Sequence, residues 1–129
     1  MKILIVEDMF PFQDAIEMCI QDLLSNTEIT KALSEKQALE AINNEIFDLI
    51  ILDGKLEHPM HTKGHGRNVL AKLSDEQKKI TIINSADVDF VYEGKNNGTL
   101  YLSNKNNEED LTEIVKKLFS LWVIKIIAA

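Results

Sequence analysis

Short aliphatic runs and helical stripes alternate along the chain from one end to the other. Ile3 to Val6 is an unbroken aliphatic run closed by Glu7 and Asp8, the pattern of a strand buried on both faces. Apolar residues then recur at Phe12, Ile16, Cys19, Ile20, Leu23 and Leu24 behind Pro11, which predicts a helix with proline in its first turn. Glu28 to Leu33 reads as a weaker strand. Ser34 and Gln37 have capping-box spacing, and the helix they open carries Ala38, Leu39 and Ile42 on one face. Phe47 to Leu52 is the second strong run, and it stops at Asp53. Asn68 to Leu73 reads as helix, and Ile80 to Ile83 as a strand stopping at Asn84 and Ser85. Thr99 to Leu102 supplies a fifth strand and Glu108 to Ile127 a last helix. Gly94-Lys95-Asn96-Asn97-Gly98 resembles a turn more than a helix.

Strands that alternate with helices imply a parallel sheet covered on both faces through right-handed crossovers. Five strands and five helices in 129 residues point to an α/β, flavodoxin-like, doubly wound five-stranded parallel sheet, one domain over the whole length. Apolar residues at 45% and charged residues at 27% are enough for such a core and exclude a disordered chain. The net charge of -7 disfavours nucleic acid as a partner of this domain. Cys19 is the single cysteine, so no intrachain disulfide forms, and its helical surroundings make it a small apolar residue. Leu121-Trp122-Val123-Ile124 is cut by Lys125 and falls short of the ~20 residues of a membrane span. The opening aliphatic run is too short for a signal peptide. A soluble, cytoplasmic protein is expected.

In open parallel sheets, function collects at the carboxyl ends of the strands. Those ends carry Glu7 and Asp8, then Asp53, then Ser85, then Asn104 and Lys105. Taken singly, each has an ordinary explanation: an acidic pair at a helix start, a turn aspartate, a strand-end hydroxyl. Together they put three carboxylates, a hydroxyl and an amine into one crevice. Three acids so close repel one another unless a cation sits among them. Oxygen ligands with room for water suit Mg²⁺ and a phosphate partner, with Asp53 as the carboxylate nucleophile.

At these residues the chain resembles the receiver domain of two-component response regulators, of the chemotaxis-regulator type. Lys2-Ile3-Leu4-Ile5-Val6-Glu7-Asp8 is similar to the opening strand and metal-binding acidic pair of that family. Asp48-Leu49-Ile50-Ile51-Leu52-Asp53 is similar to its strand ending in the phosphoacceptor, and Ile82-Ile83-Asn84-Ser85-Ala86 to its strand ending in a hydroxyl residue. The resemblance implies a phosphorylation-dependent switch rather than an enzyme. Its Mg²⁺ would be held by Glu7, Asp8, Asp53 and the backbone carbonyl of Lys55. The phosphoryl group would come from a sensor histidine kinase or a histidine phosphotransfer protein, and the output would be binding of a downstream protein target.

Three departures accompany the resemblance. Counting from Tyr101 puts Asn104 at the family's switch-lysine place and Lys105 at the proline after it, so Lys105 serves only if the loop shifts by one residue. Gly66 lies thirteen residues after Asp53, where the family commonly needs about eight, and the extra residues include His58, His61 and His65. Those read as surface histidines, with a transition-metal site as the less ordinary alternative. Lys55 would stand beside the acceptor and govern water access to it. In the last helix, Leu111, Ile114, Val115, Leu118 and Phe119 form the packing stripe, while Leu121 to Ile127 covers more than one face. That end either tucks against the neighbouring fourth helix region or is an exposed apolar patch that marks a homodimer face or a junction to a further domain.

The competing reading is a pseudo-receiver, an interaction module that signals without phosphorylation; the displaced lysine favours it and the acidic triad opposes it. An aspartate-nucleophile phosphohydrolase generally needs a second acid two residues on, where this chain has Lys55. A flavin site would need small and hydroxyl residues where Glu7 and Asp8 stand.

Overall fold

The aliphatic runs pair into one parallel sheet. The computed structural model describes residues 1–54, 56, 65–99, 101–104 and 108–128. Its strands are β1 (Lys2–Val6), β2 (Glu28–Ala32), β3 (Leu49–Leu52), β4 (Thr81–Ser85) and β5 (Tyr101–Asn104), in the order β2-β1-β3-β4-β5. The helices are α1 (Phe10–Leu23), α2 (Glu35–Asn44), α3 (His65–Lys72), α4 (Asp75–Lys79), α5 (Val88–Asn96) and α6 (Glu108–Ala128). The order reverses between β1 and β3, and that reversal opens a crevice at their carboxyl ends.

Strand alternation builds two cores. Ile3, Ile5, Leu49, Ile51 and Ile82 pack against Ile16 and Ile20 of α1 and Leu111, Val115 and Leu118 of α6. On the opposite face, Leu4, Val6, Ile50, Leu52 and Ile83 meet Ala38, Val69, Leu70 and Phe90 from α2, α3 and α5. Burial of both faces is why β1 and β3 read as unbroken aliphatic runs. The edge strand β2 has only one buried residue, Ala32, which explains its weaker signal.

Five local expectations change. Ser34 caps α2 by accepting the Gln37 N–H, but the Gln37 carboxamide oxygen accepts from the Leu33 N–H at 2.8 Å instead of closing the box on Ser34. The five-residue α4 escaped notice because it is too short to show a period. Its sequence signature is a capping box, Ser74 with Gln77. Ile80 caps that helix, so β4 starts one residue later than expected. The stretch to Asn96 is helix rather than turn. Asp87 accepts the Asp89 and Phe90 N–H groups, and Phe90 is buried. Gly94 serves packing, since a Cβ there would come within 2.6 Å of Ile83 Cγ1. Gly98, at φ +91°, is the glycine that turns the chain. Thr99 donates its N–H to Gly94 O at 3.0 Å and so completes the turn after α5, which delays β5 to Tyr101.

Cys19 is half-buried, with its Sγ 3.4 Å from Thr112 Oγ1, so it joins α1 to α6 by a polar contact as well as by packing. Leu111, Val115 and Leu118 are buried as the last-helix stripe requires. The side chains of Phe119 and of 121–129 lie outside the described residues, and with them the proposed dimer face. No helix among the described residues is long and apolar enough to cross a membrane.

Candidate metal and phosphoryl site

Backbone pairing aligns the strand ends before any side chain acts. Val6 pairs with Leu52, and the Asp53 N–H donates to Val6 O at 3.0 Å, so Glu7 and Asp53 are lateral neighbours one residue beyond the ladder. The Glu7 N–H donates to Ala32 O, fixing β1 to β2 at the same height. Glu7 and Asp53 are 0% and 3% exposed, and Asp8 is half-buried. One oxygen from each of the three carboxylates lies within 4.8 Å of the others.

Those distances suit a small divalent ion. Oxygens bound at 2.0–2.1 Å to an octahedral centre stand about 3 to 4 Å apart, so only slight closure is needed. The donor set is all oxygen, as hard cations prefer. Two of its three acids are buried, and a buried carboxylate is costly without a counter-charge or hydrogen bonds. The Met9 N–H donates to Glu7 Oε1 at 3.3 Å. Gln13 Nε2 donates to Glu7 O at 3.2 Å, fastening the start of α1 to the acidic strand end.

Gln13 is a site-supporting residue that sequence reasoning missed. The expected stripe began at Phe12, yet Phe12 is partly exposed and the buried face runs Gln13, Ile16, Ile20. The signal was present as helical spacing from Gln13 to Ile16 and Ile20, but a polar residue was not counted as part of an apolar stripe.

Two glycines shape the floor. A Cβ on Gly54 would come within 2.6 Å of Phe90 Cγ. At Gly66, near the start of α3, a Cβ would strike Asp53 O and come within 2.8 Å of Gly54 Cα. The backbone of the acceptor is thus pressed between α3 and α5. Arg67, next to Gly66, pairs with Glu93 of α5, and that hydrogen bond, followed by the charges of Glu93, Asp87 and Asp89, holds the guanidinium pKa above its ordinary value.

Ser85 ends β4, is buried, and accepts the Asp87 N–H on its Oγ at 3.0 Å. A hydroxyl that accepts one bond keeps its own proton to donate. Ser85 pairs with Asn104 across β4 and β5. Lys105 and Lys55 lie outside the described residues, as do His58 and His61 and the side chain of His65.

Similar architecture recurs among solved structures. A CheY-like response regulator receiver domain protein from Methanospirillum hungatei superposes with a TM-score of 0.74 at 23% identity, covering 96% of this chain and 97% of that one. The fold is that of response-regulator receiver domains. The same receiver architecture appears in TrrA from Thermotoga maritima in complex with Mg²⁺-BeF, with a TM-score of 0.70, 24% identity and coverage of 91% and 97%. It appears again in a phosphorylated cyanobacterial phytochrome response regulator, with a TM-score of 0.71, 24% identity and coverage of 95% and 93%. No family model and no curated protein matches the chain by sequence. With the receiver fold assigned, Glu7, Asp8, Asp53 and Ser85 stand at the strand ends where the sequence expected them.

Proposed function

We propose that the chain is a single phosphoacceptor receiver domain over residues 1–129, taking a phosphoryl group onto Asp53 in a two-component system or phosphorelay. The observation that carries this reading is the convergence of the Glu7, Asp8 and Asp53 oxygens within 4.8 Å, at the reversal in strand order. The Mg²⁺-BeF and phosphorylated states named for two receiver-fold neighbours support it.

Mg²⁺, held by Glu7, Asp8, Asp53 and the Lys55 carbonyl, would supply positive charge to the incoming phosphoryl oxygens. An Asp53 carboxylate oxygen attacks the phosphorus of a phosphohistidine on a sensor kinase or phosphotransfer protein. The P–N bond breaks as the O–P bond forms, and the released imidazole nitrogen takes up a proton. Ser85 donates its hydroxyl to a phosphoryl oxygen, and Lys105, next in sequence after Asn104, supplies the cationic partner. The resulting contacts exist only in the loaded state and shift the population of the face that a downstream protein reads. The domain acts in the cytoplasm as a switch, with its own phosphotransfer and dephosphorylation as its only chemistry.

An acyl phosphate is expected to be discharged by neutral hydroxylamine, whereas a phosphoserine is not. Treating the phosphorylated protein with hydroxylamine should therefore remove the group and leave a hydroxamate at Asp53. Survival of the phosphate would assign it to another residue. The pairing of Ser85 with Asn104 favours a second reading, a pseudo-receiver, because an amide residue ends β5 where the family carries its lysine.

A further inference from the structure

The register that places Asp53 also places two polar residues that the phosphoacceptor reading leaves without a role. Leu52 pairs with Ile83, so Asp53 and Asn84 are lateral neighbours one step past that pair. Asn84 in turn pairs with Ser103 of β5. The residues just before Asp53 and Asn84, Leu52 and Ile83, belong to the α2–α3–α5 core. Alternation therefore directs Asp53, Asn84 and Ser103 toward the α1–α6 face. Adjacent strands lie about 4.8 Å apart, which brings the Asn84 carboxamide within reach of a group on Asp53 and of Ser103.

Ser103 is the informative member. It is 1% exposed, and its Oγ has no hydrogen-bond partner among the described residues. A buried hydroxyl without a partner is destabilising, so its presence calls for a state in which the bond is made. An asparagine can act at both ends, donating through its NH₂ and accepting through its carbonyl oxygen. A phosphoryl group on Asp53 offers acceptor oxygens beside that NH₂.

We propose that Asn84 holds the phosphoryl group and that Ser103 is the residue positioning it. In the loaded state the Asn84 NH₂ donates to a phosphoryl oxygen, and its carbonyl accepts the Ser103 O–H. The Ser103 bond is then gained on loading, so the pair favours the loaded state through contacts that the unloaded state lacks. This also supplies a neutral donor on the β4–β5 side of Asp53, where Asn104 ends β5. The inference rests on the phosphoacceptor reading of Asp53.

The test is a titration of wild type, Asn84→Leu, Ser103→Ala and Ser103→Thr with beryllofluoride at saturating Mg²⁺. Separate titrations with Mg²⁺ alone and thermal melts of the unloaded proteins accompany it. Asn84→Leu should weaken beryllofluoride binding about tenfold, as for loss of a charge-assisted hydrogen bond, and Ser103→Ala about threefold. Ser103→Thr retains the hydroxyl and should bind like wild type. Mg²⁺ affinity should be unchanged throughout, and unloaded Ser103→Ala should melt at or above the wild-type temperature. If Asn84→Leu does not fold, the Ser103 pair carries the test alone. Wild type that binds beryllofluoride no better than Ser103→Ala overturns this inference and leaves the Asp53 reading standing. A lowered melting temperature with unchanged affinity in Ser103→Ala makes the hydroxyl structural and also overturns it. No binding by wild type overturns the Asp53 reading and this inference with it.

Discussion

Gly66→Ala should lower the melting temperature by about 10 °C or more and weaken Mg²⁺ binding in whatever fraction stays folded. The added Cβ would strike Asp53 O and come within 2.8 and 2.9 Å of Gly54 Cα and O. All three atoms are backbone, so no side chain can swing aside. Overpacking of this kind costs typically 1–3 kcal/mol and sometimes more, and here the upper end applies. Relaxation would push α3 away from β3, yet Val69 and Leu70 of α3 are fully packed in the core. The other escape is displacement of Asp53 itself, which spreads the ligand oxygens. Gly98→Ala is the control. Its φ of +91° makes alanine strained, but nothing lies within 4 Å of the new Cβ, so about 1 kcal/mol of backbone strain is the whole effect. Equal melting temperatures for Gly66→Ala and wild type would refute the close-approach argument.

Asp8→Asn should raise stability without metal while removing about half or more of the stabilisation that Mg²⁺ gives. Two unit charges 4.8 Å apart repel by about 3.5 kcal/mol at an effective dielectric of 20. Asp8 is half-buried, so solvent screens part of this, and relief of about 1–2 kcal/mol is expected. Bound Mg²⁺ at a hundredfold excess over its Kd stabilises wild type by about 2.7 kcal/mol. Losing one of three anionic ligands should weaken affinity at least tenfold, and the same Mg²⁺ concentration then stabilises Asp8→Asn by about 1.4 kcal/mol or less. Thermal melts of both proteins with Mg²⁺ and with chelator check this. An Asp8→Asn protein less stable than wild type in chelator would show that the acids do not strain the metal-free fold.

The features legible in the sequence are those encoded locally. Ile3–Val6 and Leu49–Leu52 are buried on both faces, so continuous aliphatic runs announced them, and the acids that closed each run announced the site. What escaped depends on pairing between distant segments or on pieces too short for a period. Asn84 looked like an ordinary polar residue after Ile83, because only the β3–β4 and β4–β5 registers put it between Asp53 and Ser103. Gly94 looked like a turn residue, because the need for it comes from Ile83 on another strand. Gln13 was hidden by its polarity, although its spacing placed it on the buried face of α1. The departure at Asn104 was legible by counting, and its pairing with Ser85 agrees with that count.

Phosphoryl transfer to Asp53 with the help of a divalent ion is read from intact-protein mass. Wild type and Asp53→Ala are incubated with acetyl phosphate, each with Mg²⁺ and with chelator. One added phosphoryl group is expected on wild type with Mg²⁺ and none in the other three samples. An unmodified wild-type protein, under conditions that load an ordinary receiver domain, would contradict the claim and leave the pseudo-receiver as the better description.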